Sequence, residues 1–150
     1  LTLNSSFYTP NTEECMPYGV VASVEGTGFD FREGVKMADG FNSDDEQVKL
    51  FNGYDHNFEV FCNPCAILTD PESGRSMSVS TDCPGVQLYT GNFLNGEQGK
   101  DGACYPARSG ICLETQYYPN SPAHPEFPQP ILKQGEAWKS VTVFAAGTVK

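Results

Sequence analysis

The sequence has no apolar stretch long enough to cross a membrane, and it has few basic residues. Its 150 residues contain nine lysines and arginines against 19 aspartates and glutamates, which gives a formal net charge of −10. The basic residues are scattered, whereas nucleic acids, anionic membranes and phosphorylated substrates are usually bound by clustered Lys and Arg. The charge pattern therefore argues against nucleic-acid and membrane partners and favours a neutral small molecule.

Histidine is scarce too, and several catalytic motifs are missing. His56 and His124 are the only histidines, so the sequence holds no His-rich metal triad. It contains no Gly-x-Ser-x-Gly elbow and no phosphate-cradling glycine loop. Nothing in the spacing pairs a cysteine nucleophile with a histidine. These reaction classes are poorly supported.

Six cysteines are too few for a small disulfide scaffold of this length. Cys62 and Cys65 have the spacing of metal ligands, but a strong zinc motif needs a second pair at matching spacing. Cys104 and Cys112 are too far apart to provide it. We expect reduced, partly buried thiols in a cytoplasmic protein, with no metal.

Short apolar runs and frequent turns predict an all-β fold. Fifteen glycines and 11 prolines separate predicted strands at 1–8, 58–62, 65–69, 75–81, 86–89, 111–116 and 137–145. In the last strand we expect Val141 and Val143 to face inward. One short helix is expected at 44–50, with Ser43 as N-cap and Glu46 at N3. With no linker or repeat, the pattern predicts an antiparallel β-sandwich as a single domain over residues 1–150.

The segment 111–116 is the most informative part of the chain. Its alternation places Leu113 on one side of a strand. Cys112, Glu114 and Gln116 lie on the other side. A carboxylate mounted rigidly beside an amide suits a site for a polyhydroxylated ligand, although an exposed strand carboxylate is the simpler interpretation. The proline-rich loop that follows, including 118–127, could form a wall of that site or only cross between sheets.

Two further segments carry polar groups suited to a ligand. Asp55 and His56 are adjacent, so in an extended strand they face opposite ways. Asp55 capping a turn and His56 satisfying a backbone group is the alternative. Gln87 and Tyr89 share a face, where Gln87 offers a donor and an acceptor. Tyr89 or Phe93 could supply an apolar surface for a pyranose ring, with ordinary cross-strand packing as the alternative.

Taken together in their order, these segments resemble the aldose 1-epimerase (galactose mutarotase) family. Each motif alone is weak, but the order and spacing agree over nearly the whole chain. The resemblance implies the C-terminal part of a large galactose mutarotase-like β-sandwich, and interconversion of the α and β anomers of a free hexose such as galactose or glucose. The matching stretches lie at 7–10, 24–32, 53–58, 70–75, 84–94, 108–116 and 120–128.

The same resemblance implies roles for three residues. Glu114 would be the general base that takes the proton from the C1 hydroxyl, Asp55 would hydrogen-bond sugar hydroxyls, and Gln87 would line the cleft. No cofactor or metal is needed. The family's acid histidine lies upstream of the matched region, and neither His56 nor His124 occupies its position.

The resemblance covers only half of the family domain, so we expect the N-terminal half to be absent from this chain. Half a sandwich exposes strand edges and apolar surface, and the chain is expected to dimerise, swap strands or need that half. A catalytically inactive carbohydrate-binding or regulatory module is the alternative function. A phosphosugar epimerase is disfavoured because arginines are not clustered.

Overall fold

A computed structural model describes residues 1–149 of the chain, which form two antiparallel sheets and few helical turns. Most strands are short and are separated by tight turns, as the glycine and proline content predicts. The elements, in chain order, are β1 Thr2–Leu3, β2 Phe7–Thr9, β3 Ala22–Ser23, α1 Met37–Gly40, α2 Glu46–Leu50, β4 Asp55–Glu59, β5 Ala66–Thr69, β6 Arg75–Thr81, β7 Gly85–Tyr89, β8 Glu97–Gln98, β9 Cys104–Tyr105, β10 Cys112–Gln116 and β11 Thr142–Thr148.

The two main sheets confirm the predicted antiparallel β-sandwich. One sheet has four strands in the order β1-β5-β6-β11, and the other has five in the order β10-β7-β4-β2-β3. A separate small hairpin joins β8 to β9. The predicted hairpin between 65–69 and 75–81 is β5–β6. Gly74 has φ +72° at its turn, a conformation that glycine adopts without steric cost.

Strand alternation explains the core between the sheets. In β7, Val86 and Leu88 are buried, and Val79 of β6 is buried on the side of the opposite sheet. Burying each such side chain contributes about 1.5–3 kcal/mol. The two sheets also meet through polar contacts, since the hydroxyls of Thr115 in β10 and Thr142 in β11 lie 2.6 Å apart. This packing leaves the other face of β4, β7 and β10 free to carry polar side chains.

The last strand differs from the prediction in position and in phase. It runs over Thr142–Thr148 rather than 137–145, and Val141 and Val143 are 50% and 51% exposed rather than inward. Pairing of Thr142 with Thr81 and of Phe144 with Val79 sets the register, so Phe144 is the residue on the core side. Phe144 is still 54% exposed because, among the described residues, β11 pairs only with β6.

The first predicted strand and the predicted helix also need correction. In place of the single strand predicted over 1–8 there are two strands, β1 and β2, which belong to different sheets. The helix starts at Glu46, and its N-cap is Asp45. The Asp45 carboxylate accepts a hydrogen bond from the backbone N–H of Gln47 at 2.9 Å. Ser43 instead accepts from the Asp45 amide. A second short helix, α1, was not predicted. Neither α-helix within residues 1–149 is long and apolar enough to cross a membrane.

Candidate active site

One face of the five-stranded sheet carries a set of polar side chains from β4, β7 and β10. Gln87 pairs with Glu114 on one side and with Asn57 on the other, so these three form one row across the sheet. Because side chains alternate along a strand, their neighbours two residues away share the face. We call this surface the polar face; it comprises Asp55, Asn57, Glu59, Gln87, Tyr89, Cys112, Glu114 and Gln116.

The structure brings the three predicted site residues together on the polar face. Gln87 lies in the central strand of the three, Glu114 is its direct partner on β10, and Asp55 lies on β4 within hydrogen-bond reach. The Gln87 side-chain amide donates to the Asp55 carboxylate at 2.7 Å. Three residues separated by up to 59 positions in sequence therefore converge through strand pairing alone.

Asp55 is a half-buried carboxylate at one end of this group. Burial raises its pKa above the ordinary value, and the hydrogen bond from Gln87 acts in the opposite direction by stabilising the charged form. One carboxylate oxygen accepts from Gln87. A carboxylate can accept at both oxygens, so Asp55 retains capacity for a hydroxyl donor.

Glu114 is exposed on β10, and Leu113 beside it is buried in the core. The predicted alternation of this segment is confirmed. All five residues of the strand pair with β7, so the Glu114 backbone is held by a continuous ladder. A carboxylate that is accessible and mounted on a rigid strand can accept a proton from a ligand placed over the face.

His56 lies on the opposite side of the sheet from Asp55 and is fully buried. Its Nδ1 accepts the Asp55 backbone N–H at 3.1 Å, so Nε2 carries the proton and donates to Gln47 Oε1 at 3.1 Å. Burial lowers its pKa to about 3. This neutral core histidine satisfies a backbone group, as the simpler interpretation predicted, and it does not reach the polar face.

An aromatic pair borders the polar face beside Asp55. The rings of Tyr89 and Phe93 stack with centroids 6.0 Å apart, and the Phe93 amide donates to the Tyr89 hydroxyl at 3.1 Å. Phe93 is 58% exposed, so an apolar ring surface is available to a ligand. Such a surface next to hydrogen-bonding groups matches the two sides of a pyranose.

The proline-rich loop after β10 covers the other end of the polar face. Tyr118 and Phe127 are buried and pack edge to face, with centroids 5.2 Å apart. Burial raises the pKa of Tyr118, and the neighbouring Glu59 carboxylate raises it further. Gly85 leaves room for this approach, because a Cβ there would overlap Asn57 Oδ1 and lie 3.1 Å from the Tyr118 ring. This part of the loop forms a wall.

His124 belongs to the same loop but is held within it. Its Nε2 lies 3.2 Å from Asn120 Nδ2, and its Nδ1 lies 3.5 Å from a Glu126 carboxylate oxygen. Its ring also packs at 5.2 Å from Phe127. These contacts occupy both ring nitrogens.

Sequence reasoning missed Asn57 as a member of the polar face, whereas it placed Cys112 on the same side of its strand as Glu114. Asn57 was overlooked because the strand was predicted to begin at Phe58, whereas β4 begins at Asp55. The strand has three consecutive buried residues, His56, Asn57 and Phe58, so its burial pattern does not mark Asn57 as a member of the polar face; its pairing with Gln87 does. Cys112 is exposed, and its pKa is raised by burial of the thiol and by the charges of Glu114 and Asp55. All six cysteines are unbonded thiols.

Comparison with known proteins identifies the family of the chain. The family model described as aldose 1-epimerase matches residues 1–145. Galactose mutarotase of Mus musculus is 43% identical over 149 residues, covering 96% of this chain and 42% of the mouse protein. Aldose 1-epimerase of Escherichia coli K12 is 36% identical over 144 residues, covering 91% of this chain and 41% of its own length. The chain thus spans about two-fifths of these relatives.

Solved structures agree with the sequence comparison. Galactose 1-epimerase from Lactobacillus acidophilus superposes with a TM-score of 0.78 at 32% identity, covering 97% of this chain and 43% of that protein. An aldose epimerase homologue from C. elegans shares the fold, with a TM-score of 0.85 over 99% of this chain and 45% of its own. This protein belongs to the aldose 1-epimerase family.

Proposed function

We propose that the polar face binds a free aldohexose, such as galactose or glucose, and contributes the general base that exchanges its α and β anomers. The observation that carries this proposal is the convergence of Glu114, Gln87 and Asp55 on one face. A neutral sugar also fits the net charge of −10 and needs no cluster of basic side chains. Residues 1–149 contain no group of His, Cys, Asp and Glu arranged to hold a metal ion.

Each residue has a chemical task in this proposal. Glu114 removes the proton from the C1 hydroxyl as a donor protonates the ring oxygen, and the ring opens. Rotation about the C1–C2 bond presents the other face of the carbonyl, and the reverse proton transfers close the ring. Asp55 accepts a hydrogen bond from a sugar hydroxyl, and Gln87 lines the cleft between the two carboxylates.

The proton donor to the ring oxygen is proposed to come from outside these residues. His56 is buried on the opposite side of the sheet, and both ring nitrogens of His124 are engaged within the loop. The relatives are more than twice as long as the matched region. We therefore place the acid in the part of the family domain that this chain does not span.

Replacing Asp55 with asparagine tests sugar binding directly. The expected result is a roughly tenfold weaker Kd for galactose, because a charge-assisted hydrogen bond becomes a neutral one. Titration of ¹⁵N-labelled protein with galactose by NMR provides the measurement. Asp101→Asn is the matched control, since Asp101 is exposed on a loop. Equal affinity for the parent protein and Asp55→Asn would remove Asp55 from the site.

A non-catalytic sugar-binding module is the second candidate, and one observation favours it. Within residues 1–149 neither histidine reaches the polar face, so the face alone holds no imidazole acid. Polarimetry of freshly dissolved α-D-galactose separates the candidates when this chain is joined to the part of the family domain that it does not span. A rate that rises with protein concentration supports the epimerase, whereas sugar binding at the uncatalysed rate supports the module.

The chain is also proposed to require a partner surface. Strands β10 and β11 lie at the ends of their sheets, and Phe144 on the core side of β11 is 54% exposed. Either a second copy or the remainder of the family domain would cover this edge. Sedimentation velocity of the isolated chain should show a dimer or larger species, and a fully folded monomer at all concentrations would contradict the proposal.

A cytoplasmic location is proposed as well, because all six cysteines are free thiols and free thiols are typical of proteins in a reducing compartment.

A further inference from the structure

Three side-chain amides on the polar face are linked in a directional chain that ends on Asp55. Gln116 Nε2 donates to Gln87 Oε1 at 2.9 Å and to Asn57 Oδ1 at 3.2 Å. Gln87 Nε2 in turn donates to Asp55 Oδ1 at 2.7 Å. The four residues come from β4, β7 and β10, so the chain of bonds crosses all three strands of the face.

The direction of this series of hydrogen bonds follows from the chemistry of Asp55, the acceptor at its end. An ionised carboxylate only accepts hydrogen bonds, so Gln87 must turn its NH₂ group toward Asp55. The Gln87 carbonyl oxygen then points away and needs a donor. A glutamine amide can rotate by half a turn with little steric cost, so its neighbours decide which end faces Asp55. Gln116 supplies the donor that favours the productive orientation.

The sheet gives Gln116 room to reach both acceptors. Gln116 pairs with Gly85, which has no side chain on this face. Its amide therefore spans the space above Gly85 to reach Gln87, its diagonal neighbour on β7, and Asn57 on β4. Any larger residue at position 85 would overlap Asn57 Oδ1.

We infer that Gln116 is a positioning residue, which fixes the amide of Gln87 so that Gln87 orients the Asp55 carboxylate toward a bound sugar. The inference rests on the proposed function, because it assigns Asp55 to sugar binding. It adds a residue whose effect on the site passes through Gln87. It also explains why a polar amide, rather than an apolar residue, occupies the half-buried end of β10.

The surroundings of Asp55 make its titration a usable probe. The thiols of Cys15 and Cys112 are close enough to interact with its charge, and burial raises the pKa of both, so they stay neutral while Asp55 titrates. Glu114 lies in the neighbouring row of the polar face, and His56 is buried on the opposite side of the sheet. The hydrogen bond from Gln87 lowers the pKa of Asp55, so disturbing that bond should raise it.

A double-mutant cycle on Gln116 and Gln87 tests the inference. The pKa of Asp55 is measured from its ¹³C carboxyl chemical shift in the parent protein, Gln116→Met, Gln87→Met and the double variant. Gln116→Met should raise the pKa of Asp55 when Gln87 is present and leave it unchanged in the Gln87→Met background. The same shift in both backgrounds, or no shift in either, would overturn the inference.

Two further variants keep the result interpretable. Gln116→Glu has the same length but no donor, so Gln87 should turn its NH₂ group toward the new carboxylate and present its carbonyl to Asp55. The affinity for galactose should then fall about fivefold to tenfold, which corresponds to the free energy of one lost hydrogen bond between Asp55 and the sugar. Gln98→Glu, on the exposed β8 strand, controls for added charge. Full affinity in Gln116→Glu would also overturn the inference.

The two readouts separate this inference from the proposed function. The titration contains no sugar, so a failed cycle counts against Gln116 alone. Absence of galactose binding by the parent protein, with the cycle intact, counts against the proposed function alone.

Discussion

Replacing Glu114 with glutamine should lower the protein-catalysed mutarotation rate of α-D-galactose by about 10²–10⁴-fold, the usual contribution of a general base. The amide keeps the size of the side chain but cannot accept the C1 hydroxyl proton. Because Glu114 is exposed and Leu113 carries the packing of this strand, the fold should be unchanged. The measurement is the polarimetric rate in excess of the spontaneous reaction, at several protein concentrations.

The assay needs a companion protein, because the proposed acid lies outside this chain. A fusion of the unmatched part of mouse galactose mutarotase, joined upstream of this chain, supplies it. Glu72→Gln is the matched control, since Glu72 is exposed in the turn between β5 and β6 and should leave the rate unchanged. An active fusion that keeps its rate in Glu114→Gln would show that the base is another residue.

The stability of the fold should depend on pH through His56. Its pKa is lowered to about 3 in the folded protein by burial, whereas an unfolded histidine titrates near about 6.5. Below pH ~6.5 His56 therefore binds a proton in the unfolded chain but stays neutral in the folded chain. As a consequence, the free energy of unfolding should fall by about 1.4 kcal/mol per pH unit. The loss should reach on the order of 4 kcal/mol by pH ~3.

Urea unfolding between about pH 5 and 7 isolates this effect, since carboxyl groups titrate mainly below that range. In the His56→Gln variant the dependence on pH in this window should largely disappear, whatever the absolute stability. The matched control is His124→Gln, which removes the chain's other imidazole and should retain the slope. An unchanged slope in His56→Gln would mean that His56 is not held neutral in the folded core.

The rings around His56 explain why its titration should be costly. Phe29 and Phe51 lie with ring centroids 4.6 and 5.1 Å from the imidazole. Gln47 Oε1 accepts from Nε2, and Nδ1 is occupied as an acceptor of the Asp55 N–H. Protonation of Nδ1 would place two donors against each other and a charge among apolar rings.

Local alternation was enough to predict β7 and β10, two of the three strands that carry the candidate site. Val86 and Leu88 alternate with Gln87 and Tyr89, and burial follows that period of two. The same rule placed Glu114 on the face opposite Leu113 and put Asp55 and His56 on opposite faces, without deciding which of those two is buried. Resemblance to the family then indicated that these faces belong to one surface, and strand pairing in the structure brings the residues together.

Elements governed by distant partners could not be predicted in this way. The phase of β11 depends on its register with β6, in which Thr142 faces Thr81 across 61 positions of sequence. A shift of one residue reverses every side chain of a strand, and Val143 was assigned to the wrong face for that reason. The Gln116–Gln87–Asp55 chain is likewise long-range, because its donors and acceptors lie on different strands.

The predicted N-cap of α2 was wrong because neighbouring polar residues compete for that role. Ser43 and Glu46 have the spacing of a capping box, yet Asp45 caps the helix. The other oxygen of the Asp45 carboxylate accepts the Gly28 amide at 3.0 Å. This tertiary contact, 17 positions away in sequence, favours Asp45 over Ser43 as the N-cap. It cannot be predicted from the residues next to the helix.

The most direct test of the central claim asks whether Glu114 faces the anomeric hydroxyl of a bound sugar. Binding of galactose and of 1-deoxygalactose, which lacks the C1 hydroxyl, is measured by calorimetry with the parent protein and with Glu114→Gln. This thermodynamic cycle does not require catalysis. The account predicts a coupling free energy of about 1 kcal/mol or more between Glu114 and the C1 hydroxyl. Equal effects of Glu114→Gln on both sugars would contradict it.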